Sequence, residues 1–225
     1  MEIKYKTVFS KRTKIEISVE RDKSIIVRAP LNTPADKIAE IIEKKKLWLF
    51  EKINHSQKYD DTNGIKKEFV SGTTIMYLGK NYRLDIVKEK FEDIKFSNKF
   101  MVSGQNEKKA AGILKEWFLK KADEILLPAV KYFAERIGVQ YNKLQISDLQ
   151  FTWGSCSPKN NLNFNWKLIK APMAVIQYVI VHELAHLIEL NHTKNFWNIV
   201  RIQLPDFDKS KDWLKEHGNL LEIDL

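Results

Sequence analysis

The sequence predicts an α+β protein, in which a β-rich region with one helix, residues 1–104, precedes a second domain, residues 105–225. Three patterns support this prediction. Apolar and polar residues alternate at 14–20, as is typical of a half-exposed strand. A stripe with a 3.6-residue period at 106–138, and an apolar run without Gly or Pro at 173–190, each indicate a helix.

The first region contains mainly short strands. Residues 14–20 and 24–29 flank a polar turn and form a predicted strand pair. Thr33-Pro34 begins a helix that we expect to run to about Ile53. Further strands are expected at 74–78, 82–87, 93–96 and 99–102. The polar segment Ser103-Gly104-Gln105-Asn106 is the expected domain boundary.

The second region begins with a long helix that we expect from Asn106 to Gly138. Pro128 is expected to kink or split it, and Gly138 to end it as a cap. Beyond this helix the patterns predict strands at 143–151 and 161–168, followed by helices at 173–190, 195–204 and 210–217.

Composition and charge limit the class of protein. Hydrophobic residues make up 44% of the chain, and no run approaches the ~18 apolar residues of a membrane span. The single Cys156 excludes an internal disulfide, and the first residues form no signal segment. We therefore expect a cytoplasmic protein without a membrane partner. The net charge of +9 comes mostly from Lys, which reads base edges poorly, so we favour a solvated basic surface over a nucleic-acid partner.

The segment His182-Glu183-Leu184-Ala185-His186 lies in the predicted apolar helix. Because His182 and His186 are four residues apart, they lie on one helix face and bring two imidazole nitrogens within reach of one zinc ion. Glu183 is then positioned beside the ion, where it can exchange a proton with a metal-bound water. The alternative is a pair of core histidines that bond to backbone carbonyls.

A catalytic zinc site requires three protein ligands and one open position. His192 is the preferred third ligand, because Asn191 is a residue type that commonly ends a helix and would let the chain turn back. Glu189, three residues after His186 on nearly the same face, is the competing ligand.

Several motifs of the second half occur together: Trp153-Gly154-Ser155-Cys156-Ser157, Leu162-Asn163-Phe164-Asn165-Trp166, Val181–His186, Asn191-His192 and Phe196-Trp197. This combination resembles the YgjP-like metallopeptidase-domain family, whose relatives are the WLM and SprT zinc metalloproteases. Trp48 and the segment 77–82 of the first half also match, so the resemblance covers nearly the whole chain.

The resemblance implies His182, His186 and His192 as zinc ligands and Glu183 as the catalytic base. It also implies a zincin-like core, in which a small sheet packs on the active-site helix. One position departs from the family pattern: Thr152 stands where the family usually has Arg before Trp-Gly-Ser-Cys. That departure weakens the case for a phosphate-directed activity and leaves the metal site intact.

Three functions follow from the resemblance and the motif. The first is a zinc-dependent metallopeptidase that acts on peptides or proteins through a His₃ site and the Glu183 base. The first alternative is a metal-dependent UTP pyrophosphatase that uses the same centre on a nucleotide substrate. The second is a zinc-stabilised module that binds peptide or nucleic acid, although a purely structural site would need no such carboxylate.

Four further residues are candidates for the substrate cleft. Asn163, Asn165 and Trp166 lie on the strand before the active helix, which in zincins often pairs with an extended peptide; ordinary sheet packing is the alternative. Tyr178, one turn before His182, is positioned either to orient a ligand and donate to an oxyanion or to pack in the core.

Overall fold

The structure is a computed structural model that describes residues 4–19, 24–46, 49, 69–91, 94–149 and 152–222. Some predictions fall outside these residues. They are the end of the first helix near Ile53, the residue Trp48, the start of the strand expected at 93–96 and the end of the strand expected at 143–151. The chain forms two compact units, Met1–Gly64 and Ile65–Leu225.

The first unit is a three-stranded sheet with one helix. Its elements are β1 (Tyr5–Ser10), β2 (Glu16–Val19), β3 (Ile25–Pro30) and α1 (Ala35–Lys44). The strand order is β1-β3-β2, with β1 parallel and β2 antiparallel to β3. Ile25, Val27 and Ala29 alternate into a small core, and its other buried side chains are Ile38, Ile42 and Leu49.

The second unit begins with a four-stranded sheet. Its strands are β4 (Thr74–Tyr77), β5 (Lys80–Val87), β6 (Lys95–Phe96) and β7 (Phe100–Ser103), in the order β4-β5-β7-β6. Leu84, Phe100 and Val102 share one core with Leu114 and Phe118 of the next helix. The compact units therefore divide at Gly64, whereas the sequence placed the boundary near residue 104. The strands β4–β7 belong to the second unit because they share a core with the helix that follows them. The alternation of residues within each strand does not reveal that shared core.

That next helix, α2 (Ala110–Ile137), is continuous and ends at Gly138, whose φ of +80° is the left-handed cap conformation. The expected split at Pro128 does not occur. Leu126 and Val130, on either side of the proline, are both fully buried, so packing holds the helix together across it.

The remaining elements build the region around the histidines. They are β8 (Lys143–Ser147), β9 (Gly154–Cys156), β10 (Asn161–Asn165), a 3₁₀ segment (Trp166–Lys170), α3 (Met173–Ala185), α4 (Lys194–Gln203) and α5 (Phe207–Glu222). The strand order is β8-β10-β9, with β10 parallel to β8 and antiparallel to β9. Among the described residues, no helix is both long and apolar enough to cross a bilayer.

A tight contact fixes the start of α3. The N–H groups of Leu78 and Gly79 donate to the carbonyls of Ile169 and Lys170 at 2.9 and 2.8 Å. A Cβ on Gly79 would lie 2.7 Å from Cγ of Pro172, and its φ of +76° also favours glycine. The turn between β4 and β5 therefore anchors the chain where α3 begins.

Candidate metal centre

The helix α3 supplies the first two residues of the centre. Its core is apolar on nearly every side, with Ile180, Val181 and Leu184 fully buried, so the backbone around His182 and Glu183 is packed from all directions. The helix ends at Ala185, and His186 is its C-cap with φ −66° and ψ −15°. The expected continuation to residue 190 was wrong. The chain tightens there into a turn, in which the N–H of Leu187 donates to the carbonyl of Leu184 at 3.1 Å.

His192 lies directly before the next helix. Thr193 caps α4, and its Oγ1 accepts a hydrogen bond from the N–H of Phe196 at 3.3 Å. This cap fixes the direction in which the chain enters α4. The segment between the two helices thereby returns His192 to the face of α3 that carries His182.

The three histidines form one cluster. The ring nitrogens that His182, His186 and His192 offer all lie within 4.8 Å of one another. Nε2 of His182 and Nε2 of His192 are 3.0 Å apart. The carboxylate of Glu189 is not part of this group, so the described geometry favours His192 over Glu189 as the third ligand.

Hydrogen bonding orients one of the rings. Nδ1 of His186 lies 3.2 Å from the carbonyl oxygen of Glu189, so Nδ1 carries the proton and Nε2 keeps its lone pair. Glu189 thus contributes through its main chain. Nδ1 of His182 is buried and has no hydrogen-bond partner within the described part of the chain.

Aromatic side chains of α4 support the cluster from one side. The ring of Phe196 lies 4.9, 4.6 and 4.6 Å from those of His182, His186 and His192, measured between centroids. Trp197 stacks on His192 at 5.6 Å with an interplanar angle of 26°. Since Phe196 is fully buried, these rings limit the movement of the imidazoles.

Burial also sets the charge of the histidines. It lowers the pKa of His182 to about 3, and the neighbouring His186 and His192 act in the same direction. Burial lowers the pKa of His192 as well, with His186 and Lys211 contributing. Both imidazoles are therefore neutral at pH 7, which is the form that binds a metal ion.

Glu183 lies beside the cluster with 8% of its surface exposed, and burial raises the pKa of its carboxyl to about 7. Gly154 of β9 makes room for this side chain, because a Cβ there would lie 2.6 Å from Cγ of Glu183. This role of Gly154 was not predicted. The only sequence signal for it was the glycine of the Trp-Gly-Ser-Cys motif, and spacing alone does not connect that motif to Glu183.

The three candidate cleft residues Asn163, Asn165 and Trp166 are buried or hydrogen-bonded within the protein. Asn165 is fully buried, its side chain donating to the carbonyl of Leu149 at 2.8 Å and accepting from the N–H of Lys167 at 3.0 Å. Trp166 is 1% exposed, and Asn163 accepts from the hydroxyl of Ser147 at 3.0 Å. Within the described residues β10 is the central strand, so its neighbours already pair with both of its edges and no edge is left for an extended peptide.

The strand next to Glu183 is instead β9, which forms one edge of its sheet. The N–H of Asn165 donates to the carbonyl of Trp153, and the N–H of Ser157 donates to that of Asn161. In an antiparallel pair this alternation directs the N–H and C=O groups of Gly154 and Cys156 away from β10. Cys156 itself is half-buried, and burial raises the pKa of its thiol.

Tyr178 packs behind His182. The two rings meet edge to face at 5.8 Å, and the other side of Tyr178 stacks on Phe207 at 6.0 Å. Burial raises the pKa of Tyr178 to about 12, so its hydroxyl stays protonated. Of the two roles considered for Tyr178, these contacts favour packing over donation to an oxyanion.

Comparisons with known proteins found one family and two solved structures that are similar to this chain. A model of the YgjP-like metallopeptidase domain matches residues 13–217. Among solved structures, the metallopeptidase zymogen of Pyrococcus abyssi abylysin is 18% identical and has a TM-score of 0.38, over 44% of this chain and 98% of that one. The zymogen of Methanocaldococcus jannaschii jannalysin is 20% identical with a TM-score of 0.37, over 42% and 96%. No curated protein matches.

Proposed function

The chain belongs to the YgjP-like metallopeptidase-domain family, and on this premise we propose that it is a zinc-dependent peptidase. Family membership places it among metallohydrolases. In the proposal His182, His186 and His192 hold the ion, and Glu183 is the general base that serves the hydrolytic water.

The observation that carries the proposal is the convergence of three imidazoles beside one buried carboxyl. Zinc–nitrogen bonds of ~2.0–2.1 Å in a tetrahedron separate two nitrogens by about 3.3 Å. The 3.0 Å between Nε2 of His182 and Nε2 of His192 is close to that separation. The donor set of three histidines also matches a catalytic site with one open position.

When bound, the ion would supply Lewis acidity, which polarises a carbonyl and makes a nearby water more acidic. The carboxylate of Glu183 accepts the proton of the attacking water and returns it to the leaving amine. In the metal-free protein burial raises the pKa of this carboxyl to about 7, so the group can both take up and release a proton near neutral pH. A cation in the cluster would favour the ionised form of Glu183, which is the form that acts as base.

An extended peptide would pair with the outer edge of β9. In the proposal, the N–H and C=O groups of Gly154 and Cys156, which point away from β10, pair with the peptide by strand addition. Since Gly154 is in van der Waals range of Glu183, a peptide on this edge would present a carbonyl close to the base. The proposal thus uses the edge strand β9 for pairing with the peptide, whereas the strand considered from the sequence was the one that carries Asn163 and Asn165.

The test is hydrolysis of an unfolded protein such as reduced casein by zinc-loaded protein, with Glu183→Gln as the variant. We expect the rate to fall by about 10²–10⁴-fold while zinc stays at one ion per chain, because the amide cannot accept a proton. Release of pyrophosphate from UTP, measured in parallel, should stay at background.

Three outcomes would contradict the proposal. Equal hydrolysis by wild-type and Glu183→Gln protein would exclude Glu183 as the base. Pyrophosphate release that depends on Glu183, without proteolysis, would make the chain a nucleotide hydrolase with the same centre. Stoichiometric zinc with neither activity would favour the binding module.

A further inference from the structure

A groove of about 410 Å³ is lined by α4 and α5 next to the histidine cluster. Its walls carry basic, acidic and aromatic side chains, among them Lys194, Trp197, Arg201, Phe207, Asp208 and Lys211. The indole of Trp197 lies between the groove and the cluster, because it stacks on His192. A substrate bound at the cluster would therefore need to extend only past the indole of Trp197 to reach the groove.

The groove carries more positive than negative charge. Three of the lining side chains are cationic and one is anionic, an excess of two positive charges. Arg201 and Asp208 approach only to 3.9 Å and both are exposed, so this ion pair is weak. Within the described residues, no carboxylate forms an ion pair with Lys194 or Lys211. The positive charge is thus available to a ligand.

Aromatic rings hold two of these cations in place. Nζ of Lys211 lies 4.6 Å from the ring centre of Trp197, and the guanidinium of Arg201 lies 5.4 Å from that of Phe207. Trp197 and Phe207 stack on each other at 5.4 Å with an angle of 11°. Cation–π contacts of this kind reduce the number of side-chain conformations that a ligand must fix.

We propose that this groove is a substrate subsite that binds the side-chain carboxylate of an acidic residue in the peptide. The proposal rests on the peptidase function above. Its volume exceeds that of one side chain and accommodates a short stretch of peptide around the acidic residue. The planar guanidinium of Arg201 matches a carboxylate in bidentate geometry.

A carboxylate fits the groove better than a phosphate group. Tight phosphate sites commonly use the backbone N–H groups of glycine-rich loops, and none of the described residues that line this groove is a glycine. Asp208 would also repel a multiply charged phosphate more strongly than a single carboxylate. A single Glu carboxylate is attracted by the excess positive charge and is repelled less by Asp208 than a phosphate group would be.

The experiment uses fluorescein-labelled octapeptides of alanine and leucine, with one Glu scanned along the chain, and a matched set with Gln. Binding is measured by fluorescence anisotropy with zinc-loaded Glu183→Gln protein, which prevents turnover. Hydrolysis of the same peptides by the protein with Glu183 intact is measured by mass spectrometry. We expect about tenfold tighter binding of the best Glu peptide than of its Gln partner.

Three further substitutions, each made in the Glu183→Gln protein, locate the effect. Lys211→Gln and Arg201→Gln should each reduce the preference for Glu about fivefold. Lys215→Gln, on the same helix but outside the groove, removes the same charge and should leave the preference unchanged. The preference should also weaken with rising salt.

The remaining outcomes separate the subsite from the peptidase function. Equal binding of the Glu and Gln sets overturns the subsite, and hydrolysis of both sets would then leave the peptidase standing. A preference that depends on Lys211, without hydrolysis of any peptide, keeps the subsite and overturns the peptidase. Binding of inorganic phosphate that depends on Lys211, with no acidic-peptide preference, overturns the choice of a carboxylate.

Discussion

The candidate centre joins two regions that are held in different ways. His182 and Glu183 lie on α3, which is buried on nearly every side, whereas His192 lies on an exposed segment that connects α3 to α4. On the first side, burial changes the pKa of both residues strongly. On the second side, a threonine cap and ring stacking hold the imidazole in place. The difference suggests that α3 sets the chemistry, while the exposed segment completes the ligand set and leaves access for substrate.

The largest expected effect is the loss of zinc affinity when either His182, on the buried helix, or His192, on the exposed segment, is replaced. His182→Ala and His192→Ala should each weaken zinc binding roughly 10³-fold, about a third of a binding free energy of ~10–16 kcal/mol. Only His182→Ala should also destabilise the metal-free protein, by about 1–3 kcal/mol, because its ring is packed in the core.

Chelator competition and urea unfolding measure these two quantities. His217→Ala, which removes a histidine of α5 outside the cluster, is the matched control and should keep wild-type zinc affinity. Full zinc affinity in His192→Ala would mean that the exposed segment contributes no ligand.

The second prediction concerns the buried side and the pH dependence of stability in metal-free protein. The folded pKa of Glu183 lies near 7, above its ordinary 4.5, so the stability that its proton contributes is present below pH 4.5 and lost as pH rises to about 7. Glu183→Gln cannot lose it. The free energy of unfolding of Glu183→Gln, minus that of the wild type, should therefore rise by about 3 kcal/mol between pH 4.5 and about 7.

Urea unfolding at half-unit pH steps measures that difference. Titration of His182 changes stability in the opposite direction, but it is common to both proteins and cancels in the comparison. A difference that stays flat from pH 4.5 to 7 would show that Glu183 is not desolvated in the folded protein.

A smaller effect is expected where β9 meets α3. Gly154→Ala places a methyl group 2.6 Å from Cγ of Glu183, so the carboxylate must shift. A shift of about 1 Å is expected to lower kcat roughly 10²-fold, with zinc content unchanged because the histidines are not displaced. Gly112→Ala, at a helix position where a Cβ meets no atom within 4 Å, is the control. Unchanged kcat in Gly154→Ala would place the working position of Glu183 elsewhere.

The smallest effect belongs to the exposed side. Thr193→Ala removes the cap of α4 and should cost about 1 kcal/mol of stability, with less than a tenfold loss of zinc affinity. Thr193→Ser keeps an oxygen for the N–H of Phe196 and should restore both. If the alanine variant lost zinc as completely as His192→Ala, the cap would be as important as the ligand.

Local patterns were reliable where a helix carries its own periodicity. The sequence predicted α2 to within a few residues, and it placed His182, Glu183 and His186 on one helix. It overextended α3 to residue 190, because the apolar run continues past the point where the backbone turns. It also left open whether β10 pairs with substrate or packs in the sheet, because no single strand reveals the order of strands in a sheet.

The sequence by itself determined the α+β class, the pairing of His182 with His186, and the position of Glu183 next to them. Those features follow from the 3.6-residue repeat and from residue type, which act over a few neighbours. Asn191 also pointed to His192 as the third ligand, with Glu189 left open, and the tertiary structure favours His192. Tertiary structure alone decided the rest: the approach of Gly154 to Glu183, the edge position of β9 and the basic groove. Each of these joins residues from different elements, so it depends on how buried apolar faces pack and on no local signal.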